Sequence, residues 1–177
     1  MEEMNKAVFI DRDGVINVEK DYVYKIEDFE FISGVFEACR YLQELGYMLV
    51  VITNQSGIGR GYYTQSDFEK LTSWMIDEFA KNGVKIAYVY HCPHAPKEEC
   101  NCRKPKTGMI DAAVKEFDID VTKSYLIGDK ISDIECAKNA KINSSIHVKS
   151  GHSFDEADSN ADFIIDSIKE IKNIIKE

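Results

Sequence analysis

The sequence lacks any long apolar run. A membrane-spanning helix needs about 20 consecutive apolar residues, and no stretch of the 177 residues approaches that length. The opening residues, MEEMNK, are acidic and polar and do not resemble the apolar centre of a signal peptide. We therefore expect a protein that has no membrane partner and works in the cytoplasm.

Positive charge is also scarce. The chain has 22 Lys and Arg against 31 Asp and Glu, which gives a formal net charge of -9. This balance argues against broad attraction to nucleic acid phosphates, so we expect no nucleic-acid partner. An anionic small molecule still fits as a substrate, because a metal ion and a few donors can reverse the charge of a local site.

No repeat, low-complexity tract or linker rich in Pro, Gly and Ser interrupts the chain. A length of 177 residues with 44% hydrophobic and 30% charged residues is typical of one globular domain. We predict a single domain over residues 1–177 and expect a monomer. In a cytoplasmic protein, the five cysteines are more typical of thiols or metal ligands than of disulfides.

Apolar runs alternate with helical patterns, which predicts βαβ units and a parallel sheet. The predicted strands are Ala7–Ile10, Met48–Thr53, Ile86–Tyr90, Ser124–Gly128, Ser145–Val148 and Asp162–Ile165. The predicted helices are Val35–Leu45, Ser66–Asn82, Met109–Phe117, Ser132–Ala140 and Ser167–Lys176. Gly46 and Gly83 follow two of these helices as C-terminal caps do, and Ser66 with Glu69 fits a capping box. The predicted fold class is α/β, a Rossmann-like three-layer sandwich with a central parallel sheet and no insertion long enough for a separate cap domain.

The stretch AVFIDRDGVIN begins as a buried strand and ends in Asp11, Asp13 and Gly14. Acids that follow a parallel strand lie at the carboxyl edge of the sheet, where α/β folds bind ligands. Two aspartates with this spacing could share a hard cation, and one could attack phosphorus as a nucleophile. Taken alone, a strand end with an ordinary Asp-Gly turn explains the stretch equally well.

Two further predicted strands also end in polar residues. VVITNQSGIGRG brings Thr53 and Asn54 to a strand end, where a hydroxyl and backbone N–H groups suit phosphate oxygens; a plain polar turn is the alternative. IGDKISD brings Asp129 to a third strand end, and Asp133 fits a metal site or a helix cap equally well. Because parallel strands end at the same edge, we expect the three to converge, with Asp129 completing an oxygen cage around a cation.

A cluster of metal ligands lies in the stretch HCPHAPKEECNC. The ligands follow the pattern C-x-H-x5-C-x-C and are Cys92, His94, Cys100 and Cys102. Four such ligands in a short loop are typical of tetrahedral zinc. Protein atoms would fill all four positions, so we predict a structural Zn²⁺ that shapes the loop 91–107. Unliganded thiols are the alternative.

Two long loops are candidates for substrate contact. Arg103 and Lys104 follow the zinc ligands directly, so a rigid loop would present them as an anion clamp. A solvated basic pair is the alternative. The other loop, residues 18–32, carries charged and aromatic side chains, and long loops in a compact domain are more often functional than idle. A surface excursion pinned by its aromatics is the alternative. We expect the two loops to control access to the site.

Together these motifs resemble the haloacid dehalogenase superfamily of phosphohydrolases over nearly the whole chain. The matching motifs are DRDGV at 11–15, TN at 53–54, RKP at 103–105 and GDKxxD at 128–133. Within that superfamily, three segments are similar to the heptose 1,7-bisphosphate 7-phosphatase group, namely NVEKDYVYKIEDFEF, TNQSGIGRGYYT and CRKPKTGMI. The zinc loop resembles that of the histidinol-phosphate phosphatases, which share the short spacing between His94 and Cys100.

The resemblance implies a Mg²⁺-dependent mechanism. Asp11 would be the nucleophile that forms an aspartyl-phosphate, and Asp13 the general acid and then the base. Magnesium would be bound by Asp11, the Asp13 backbone carbonyl and Asp129, while Thr53 and Lys104 would hold the phosphoryl group. Contacts to the rest of the substrate are implied for Glu19, Lys20, Asp21, Tyr22, Asn54, Gln55, Ser56, Arg103 and Lys130. A general acid near neutral pH requires a raised pKa, which crowding by other carboxylates would favour and magnesium would oppose.

The implied activity is hydrolysis of the 7-phosphate of D-glycero-D-manno-heptose 1,7-bisphosphate, a step toward nucleotide-activated heptose for bacterial surface polysaccharide. A histidinol-phosphate phosphatase is the second hypothesis, because that group shares the zinc loop. A non-catalytic, zinc-stabilised phosphosugar-binding module is the third. Every catalytic position is filled, which argues against it.

Overall fold

The computed structural model describes residues 3–177. Its strands are β1 Ala7–Ile10, β2 Met48–Asn54, β3 Ile86–Cys92, β4 Tyr125–Gly128, β5 Ser144–Val148 and β6 Phe163–Ile165. All five neighbouring pairs are parallel, and the order across the sheet is β3-β2-β1-β4-β5-β6. The predicted parallel sheet is therefore confirmed, with each strand within two residues of its expected bounds.

Within residues 3–177, five α-helices connect the strands. They are α1 Val35–Glu44, α2 Ser56–Gly59, α3 Gln65–Lys81, α4 Gly108–Phe117 and α5 Ile131–Asn139. The short α2 was not predicted. The predicted helix at 167–176 was wrong in type, because this segment forms a 3₁₀ helix, Ile168–Asn173. The capping box was also misplaced: Thr64 caps α3 together with Asp67, two residues before the expected pair.

The core lies on both faces of the sheet. Every residue of β1 is fully buried, as a central strand of a parallel sheet requires. Val8 and Ile10 pack on one face with side chains of α1, α3 and the C-terminal 3₁₀ helix, whereas Ala7 and Phe9 pack on the other with α4 and α5. These are the three layers expected from the sequence.

The register of the sheet positions three strand ends side by side. Ile10 at the end of β1 is opposite Val51 of β2 and Ile127 of β4. Between residues 3 and 177 this is the one sheet formed, and the short helix α2 and loops lie at its carboxyl edge. Within the same range, no helix combines the length and apolar character that crossing a bilayer requires.

Candidate active site

Buried carboxylates meet at the carboxyl edge of the sheet. Asp11 follows β1, and its backbone N–H donates to the carbonyl of Ile127 at 3.0 Å, which ties it to the end of β4. Asp129 follows β4, and Asp133 lies one turn further on in α5. Carboxylate oxygens of the three aspartates all lie within 4.8 Å of one another. Asp11 and Asp129 therefore lie close together, as the strand ends in the sequence predicted.

Lys104 is the cation inside this cluster. Its ammonium lies 3.0 Å from Asp11 Oδ1 and 2.6 Å from Asp133 Oδ1, and it donates to the carbonyl of Ile52 at 3.0 Å. Its side chain is only 3% exposed. Burial alone would lower the pKa of Lys104, but the Asp11 and Asp133 carboxylates raise it, so the ammonium stays charged. Burial, and next the neighbouring Asp133 carboxylate, raise the pKa of Asp11 well above its ordinary range.

Asp133 is a helix cap that also belongs to the carboxylate cluster, and its role at a metal stays a prediction. Its Oδ2 accepts the backbone N–H groups of Asp129 and Lys130, each at 3.1 Å, which is a cap at the start of α5. Its Oδ1 faces Lys104 within the carboxylate cluster. A single buried side chain therefore both fixes the turn that carries Asp129 and adds negative charge to the site.

Asp13 has a different environment from Asp11. Arg12 Nη2 donates to Asp13 Oδ1 at 2.9 Å and Asn17 Nδ2 to the same oxygen at 3.0 Å, while Gln55 Nε2 donates to Oδ2 at 3.1 Å. Burial alone would raise the pKa of Asp13, but Arg12 and these hydrogen bonds outweigh burial and hold that pKa below its ordinary value. The crowding that the sequence suggested for Asp13 therefore acts on Asp11 instead.

Thr53 lies beneath the cavity rather than on its surface. Its side chain is fully buried and its Oγ1 accepts a hydrogen bond from Gln55 Nε2 at 2.9 Å. Gln55 Oε1 in turn accepts from the hydroxyl of Tyr63. The end of β2 therefore presents Asn54 and Gln55 to the cavity, with Thr53 held behind them.

The cavity in front of these groups has a volume of about 350 Å³. The predicted residues that line it are Asp11, Asp13, Glu19, Asp21, Tyr22, Asn54, Gln55, Ser56, Arg103, Lys104, Lys130 and Asp133. Asp129 is buried and does not line it. Lys20 is exposed and does not line it. The sequence did not single out four lining residues, Arg60, Tyr63, Ser132 and His152. Arg60 and Tyr63 belong to the quoted stretch TNQSGIGRGYYT, so a signal for them existed, whereas nothing marked His152.

The loop 18–32 forms one wall of the cavity and is held by aromatic contacts. Tyr22 meets Tyr62 edge to face with ring centroids 4.8 Å apart, and Tyr24 stacks on Tyr63 at 5.1 Å. Asp21 and Tyr22 both have left-handed backbone conformations, with φ of 57° and 56°. Such conformations are costly for residues other than glycine and mark sites where surrounding contacts impose the shape. The loop 18–32 is therefore both held by its aromatic side chains and part of the cavity wall.

The four Cys and His side chains of the zinc motif also converge. The distances are 3.8 Å between the sulfurs of Cys92 and Cys100, 3.4 Å from Cys92 Sγ to His94 Nδ1 and 3.3 Å from His94 Nδ1 to Cys102 Sγ. Bond lengths for tetrahedral zinc give edges of about 3.8 Å between sulfurs and about 3.6 Å between sulfur and nitrogen. The loop is joined to the end of β2, because Lys104 N donates to Asn54 Oδ1 at 3.0 Å.

Buried acids at the ends of adjacent parallel strands, with a lysine between them, form the arrangement expected of the haloacid dehalogenase superfamily. The fold and the site define a hydrolase of this class. A HAD-hydrolase-like family model matches residues 101–171, the segment that contains Lys104, Asp129 and Asp133.

Full-length relatives narrow the class. The chain is 52% identical to the D-glycero-alpha-D-manno-heptose-1,7-bisphosphate 7-phosphatase of Campylobacter jejuni, over 97% of this chain and 96% of the relative. It is 44% identical to the D-glycero-beta-D-manno-heptose-1,7-bisphosphate 7-phosphatase of Haemophilus influenzae, over 98% of both chains. The crystal structure of a D,D-heptose 1,7-bisphosphate phosphatase from B. bronchiseptica, complexed with magnesium and phosphate, has the same fold, with a TM-score of 0.83 at 24% identity over 95% of this chain and 96% of that one. The chain belongs to the family of D-glycero-D-manno-heptose-1,7-bisphosphate 7-phosphatases.

Proposed function

We propose that this protein is a magnesium-dependent phosphoric monoester hydrolase that removes the 7-phosphate of D-glycero-D-manno-heptose 1,7-bisphosphate, on the route to nucleotide-activated heptose. The observation that carries the proposal is the contact of Lys104 with Asp11 inside a cluster that also holds Asp129. These groups come from three distant parts of the chain: Asp11 and Lys104 line the cavity, and Asp129 is buried beside Asp11.

Asp11 is the nucleophile in this proposal. Its Oδ1 is held by the backbone N–H of Arg12 at 2.8 Å and by Lys104 at 3.0 Å, so the carboxylate has a fixed orientation toward the cavity. Attack on the 7-phosphorus forms a bond from Asp11 to phosphorus and breaks the bond to the sugar oxygen, and water then hydrolyses the aspartyl-phosphate. Lys104 neutralises charge on the phosphoryl oxygens, and Thr53 supports this end of the site through Gln55.

Asp13 is the general acid and then the base. It lines the same cavity as Asp11 but is surrounded by donors from Arg12, Asn17 and Gln55 rather than by other acids. These donors lower the pKa of Asp13 and so favour its charged form. A phosphate dianion arriving beside Asp13 would favour the protonated form, because a nearby like charge raises a carboxyl pKa. In this proposal, the bound substrate itself raises the pKa of Asp13 and so favours the protonated form that acts as the acid.

The residues fit a magnesium ion. Asp11, Asp129 and the Asp13 backbone carbonyl would hold it. Asp129 Oδ1 is buried without a hydrogen-bond partner among the described residues, as expected of an oxygen reserved for a cation. When bound, the ion supplies positive charge that reduces repulsion between the Asp11 carboxylate and the phosphoryl oxygens.

The second phosphate of the substrate fits the cations at the rim of the cavity. Arg60, Arg103 and Lys130 line it, and within residues 3–177 none of the three forms an ion pair with a carboxylate. Carboxylate, amide and hydroxyl groups suitable for sugar hydroxyls lie between the two ends, on Glu19, Asp21, Asn54 and Ser56. A histidinol phosphate has one phosphate and would leave the rim cations unused, so that alternative is not favoured, nor is a non-catalytic module.

Rates on two substrates test the proposal. We expect kcat/KM for the heptose 1,7-bisphosphate to exceed that for histidinol phosphate by about 10²-fold or more, because the smaller substrate leaves charged donors unpaired. Phosphate release is measured with both heptose anomers and with histidinol phosphate at one Mg²⁺ concentration. A higher kcat/KM on histidinol phosphate would overturn the heptose assignment. If no phosphosugar released phosphate, the proposal that the protein is an enzyme would be wrong.

We also propose a structural zinc ion on Cys92, His94, Cys100 and Cys102. Protein purified without added metal is expected to hold about one zinc per chain by elemental analysis. Cys102→Ser should remove most of the zinc and raise KM, because Arg103 and Lys104 follow the ligand directly. The matched control is Cys39→Ala, which removes a buried thiol of α1 outside the cluster and should keep the zinc. Wild-type protein that binds no zinc would contradict the assignment.

We propose one phosphatase domain over residues 1–177, acting as a monomer in the cytoplasm without a nucleic-acid or membrane partner. The five cysteines are unpaired, which suits a reducing compartment, and the net charge of -9 disfavours nucleic acid.

A further inference from the structure

A fourth strand end reaches the candidate site from the side opposite to β2. The loop that follows β5 returns over Asp129, so that His152 contacts the Asp129 carboxylate. The backbone N–H of His152 donates to Asp129 Oδ2 at 2.9 Å, and its ring Nδ1 lies 2.7 Å from the same oxygen. Because an ionised carboxylate only accepts hydrogen bonds, Nδ1 must carry the proton.

The two oxygens of Asp129 are treated differently. Oδ2 receives both donors of His152 and lies against the backbone of Gly14 and Gly151, where a Cβ on either glycine would overlap it. Oδ1 is buried and has no hydrogen-bond partner among the described residues. One oxygen is therefore fully enclosed by the protein, and the other is left for a cation.

The backbone of Asp129 is held from the same direction. His147 of β5 is fully buried, and its Nε2 donates to the Asp129 carbonyl at 3.0 Å. Its Nδ1 is 2.7 Å from the Ser159 hydroxyl, and its ring stacks on Phe154 with centroids 3.4 Å apart. The main chain at Asp129 is therefore fixed independently of His152, which leaves the carboxylate rotamer as the part that His152 controls.

We propose that His152 is a positioning residue that holds Asp129 Oδ2 and so presents Oδ1 to the catalytic metal ion. The inference rests on the magnesium-dependent function proposed above. Partners that orient a metal ligand contribute about 10- to 100-fold to metal affinity. His152 also lines the cavity, with its side chain 40% exposed, so the ring can be changed without opening the core.

The direction of the change in metal affinity distinguishes this role from the opposite one, in which His152 competes with the metal ion for Asp129. If His152 holds Oδ2 while Oδ1 binds the metal, removing the ring weakens metal binding, because Oδ2 then loses one of its two donors and the carboxylate is held less firmly. If instead His152 occupies the oxygen that the metal needs, removing the ring strengthens metal binding. The backbone N–H contact stays in every variant, so only the ring contribution changes.

The test compares His152→Leu, His152→Asn and Lys149→Ala without substrate. Mn²⁺ serves as the probe, and its dissociation constant is measured from free Mn²⁺ by electron paramagnetic resonance. We expect His152→Leu to bind Mn²⁺ about 10- to 100-fold more weakly than the wild type. His152→Asn should bind almost as well as the wild type, since its amide places a donor near the position of Nδ1. Lys149→Ala removes an exposed ion pair of the same loop with Glu156 and should change nothing.

A kinetic measurement adds a second readout. In His152→Leu, activity lost at low Mg²⁺ should return as Mg²⁺ is raised, with kcat restored at saturation. Unchanged or tighter Mn²⁺ binding by His152→Leu would overturn the inference while the proposed phosphatase stands. Wild-type protein that binds no Mn²⁺ would overturn both. Melting temperatures show whether each variant is folded. If His152→Leu does not fold, His152→Ala, which also removes the ring donor, takes its place with the same expected result.

Discussion

Replacing Asp11 by Asn is expected to lower kcat by about 10⁴-fold or more, because the amide cannot act as the nucleophile. The change keeps the size of the side chain, so the sheet edge should survive. It also removes a carboxylate whose charged form is disfavoured in the folded protein, because burial and then the neighbouring Asp133 raise the pKa of Asp11. We therefore expect the metal-free variant to be at least as stable as the wild type by urea denaturation, even though turnover is lost. Phosphate release under saturating substrate and Mg²⁺ measures the loss.

Asp77→Asn is the matched control for this change. Asp77 is exposed on α3 and does not line the cavity, so the same loss of charge there should leave kcat unchanged. Turnover by Asp11→Asn within tenfold of the wild type would rule out Asp11 as the nucleophile. A loss of activity accompanied by unfolding would be visible as a lower urea midpoint and would require a second variant, such as Asp11→Ser.

The second large effect is expected from Lys104→Met, which keeps the length of the side chain and removes its charge. Without the ammonium, Asp11 and Asp133 face each other in a buried site with no cation between them. Breaking a buried ion pair on one side costs about 3–5 kcal/mol of unfolding free energy. The loss of a fixed charge on the phosphoryl group should lower kcat by about 10²- to 10³-fold. Urea denaturation without metal and single-turnover phosphate release measure the two effects.

Lys70→Met, on the exposed surface of α3, controls for the loss of one positive charge. If Lys104→Met kept wild-type kcat, Lys104 would have only a structural role. If its unfolding free energy did not fall, the Lys104 contacts to the two carboxylates would not stabilise the fold. The two readouts therefore separate the catalytic role of Lys104 from its structural one.

The convergence of the site could be predicted because it depends on local patterns and one topological rule. Strand ends at Asp11, Thr53 and Asp129 are each visible as apolar runs that stop at polar residues. Parallel strands then bring such ends to one edge, without any knowledge of side-chain packing. The convergence of the Cys and His cluster followed in the same way, since spacing in a short loop limits how far its ligands can separate.

Features that depend on a choice between equivalent local patterns could not be predicted. Thr64 with Asp67 and Ser66 with Glu69 both fit a capping box, and only the structure shows that Thr64 Oγ1 accepts from Asp67 N at 3.0 Å. The sequence does not rank two patterns that overlap within two residues. The type of the C-terminal helix could not be predicted for the same reason. Ile168 and Ile171 are both buried, and this spacing fits an α-helix and a 3₁₀ helix alike.

Features that depend on the direction of a side chain were also beyond the sequence. Arg12 stands between two site aspartates, and nothing in DRDG shows that its guanidinium turns inward to Asp13, where Arg12 is only 1% exposed. His152 follows a strand whose end carries no acid, so no motif drew attention to it. Its role becomes visible only through the contact with Asp129.

The buried Arg12 guanidinium also links two functions that usually belong to separate parts of an enzyme. Its Nη2 donates to Asp13 at 2.9 Å and to the carbonyl of Val23, in the loop that walls the cavity, at 2.7 Å. A movement of this loop as the sugar enters would pull on the group that holds Asp13 in its charged form. The proton affinity of Asp13 therefore depends on where this loop lies, because one side chain contacts both.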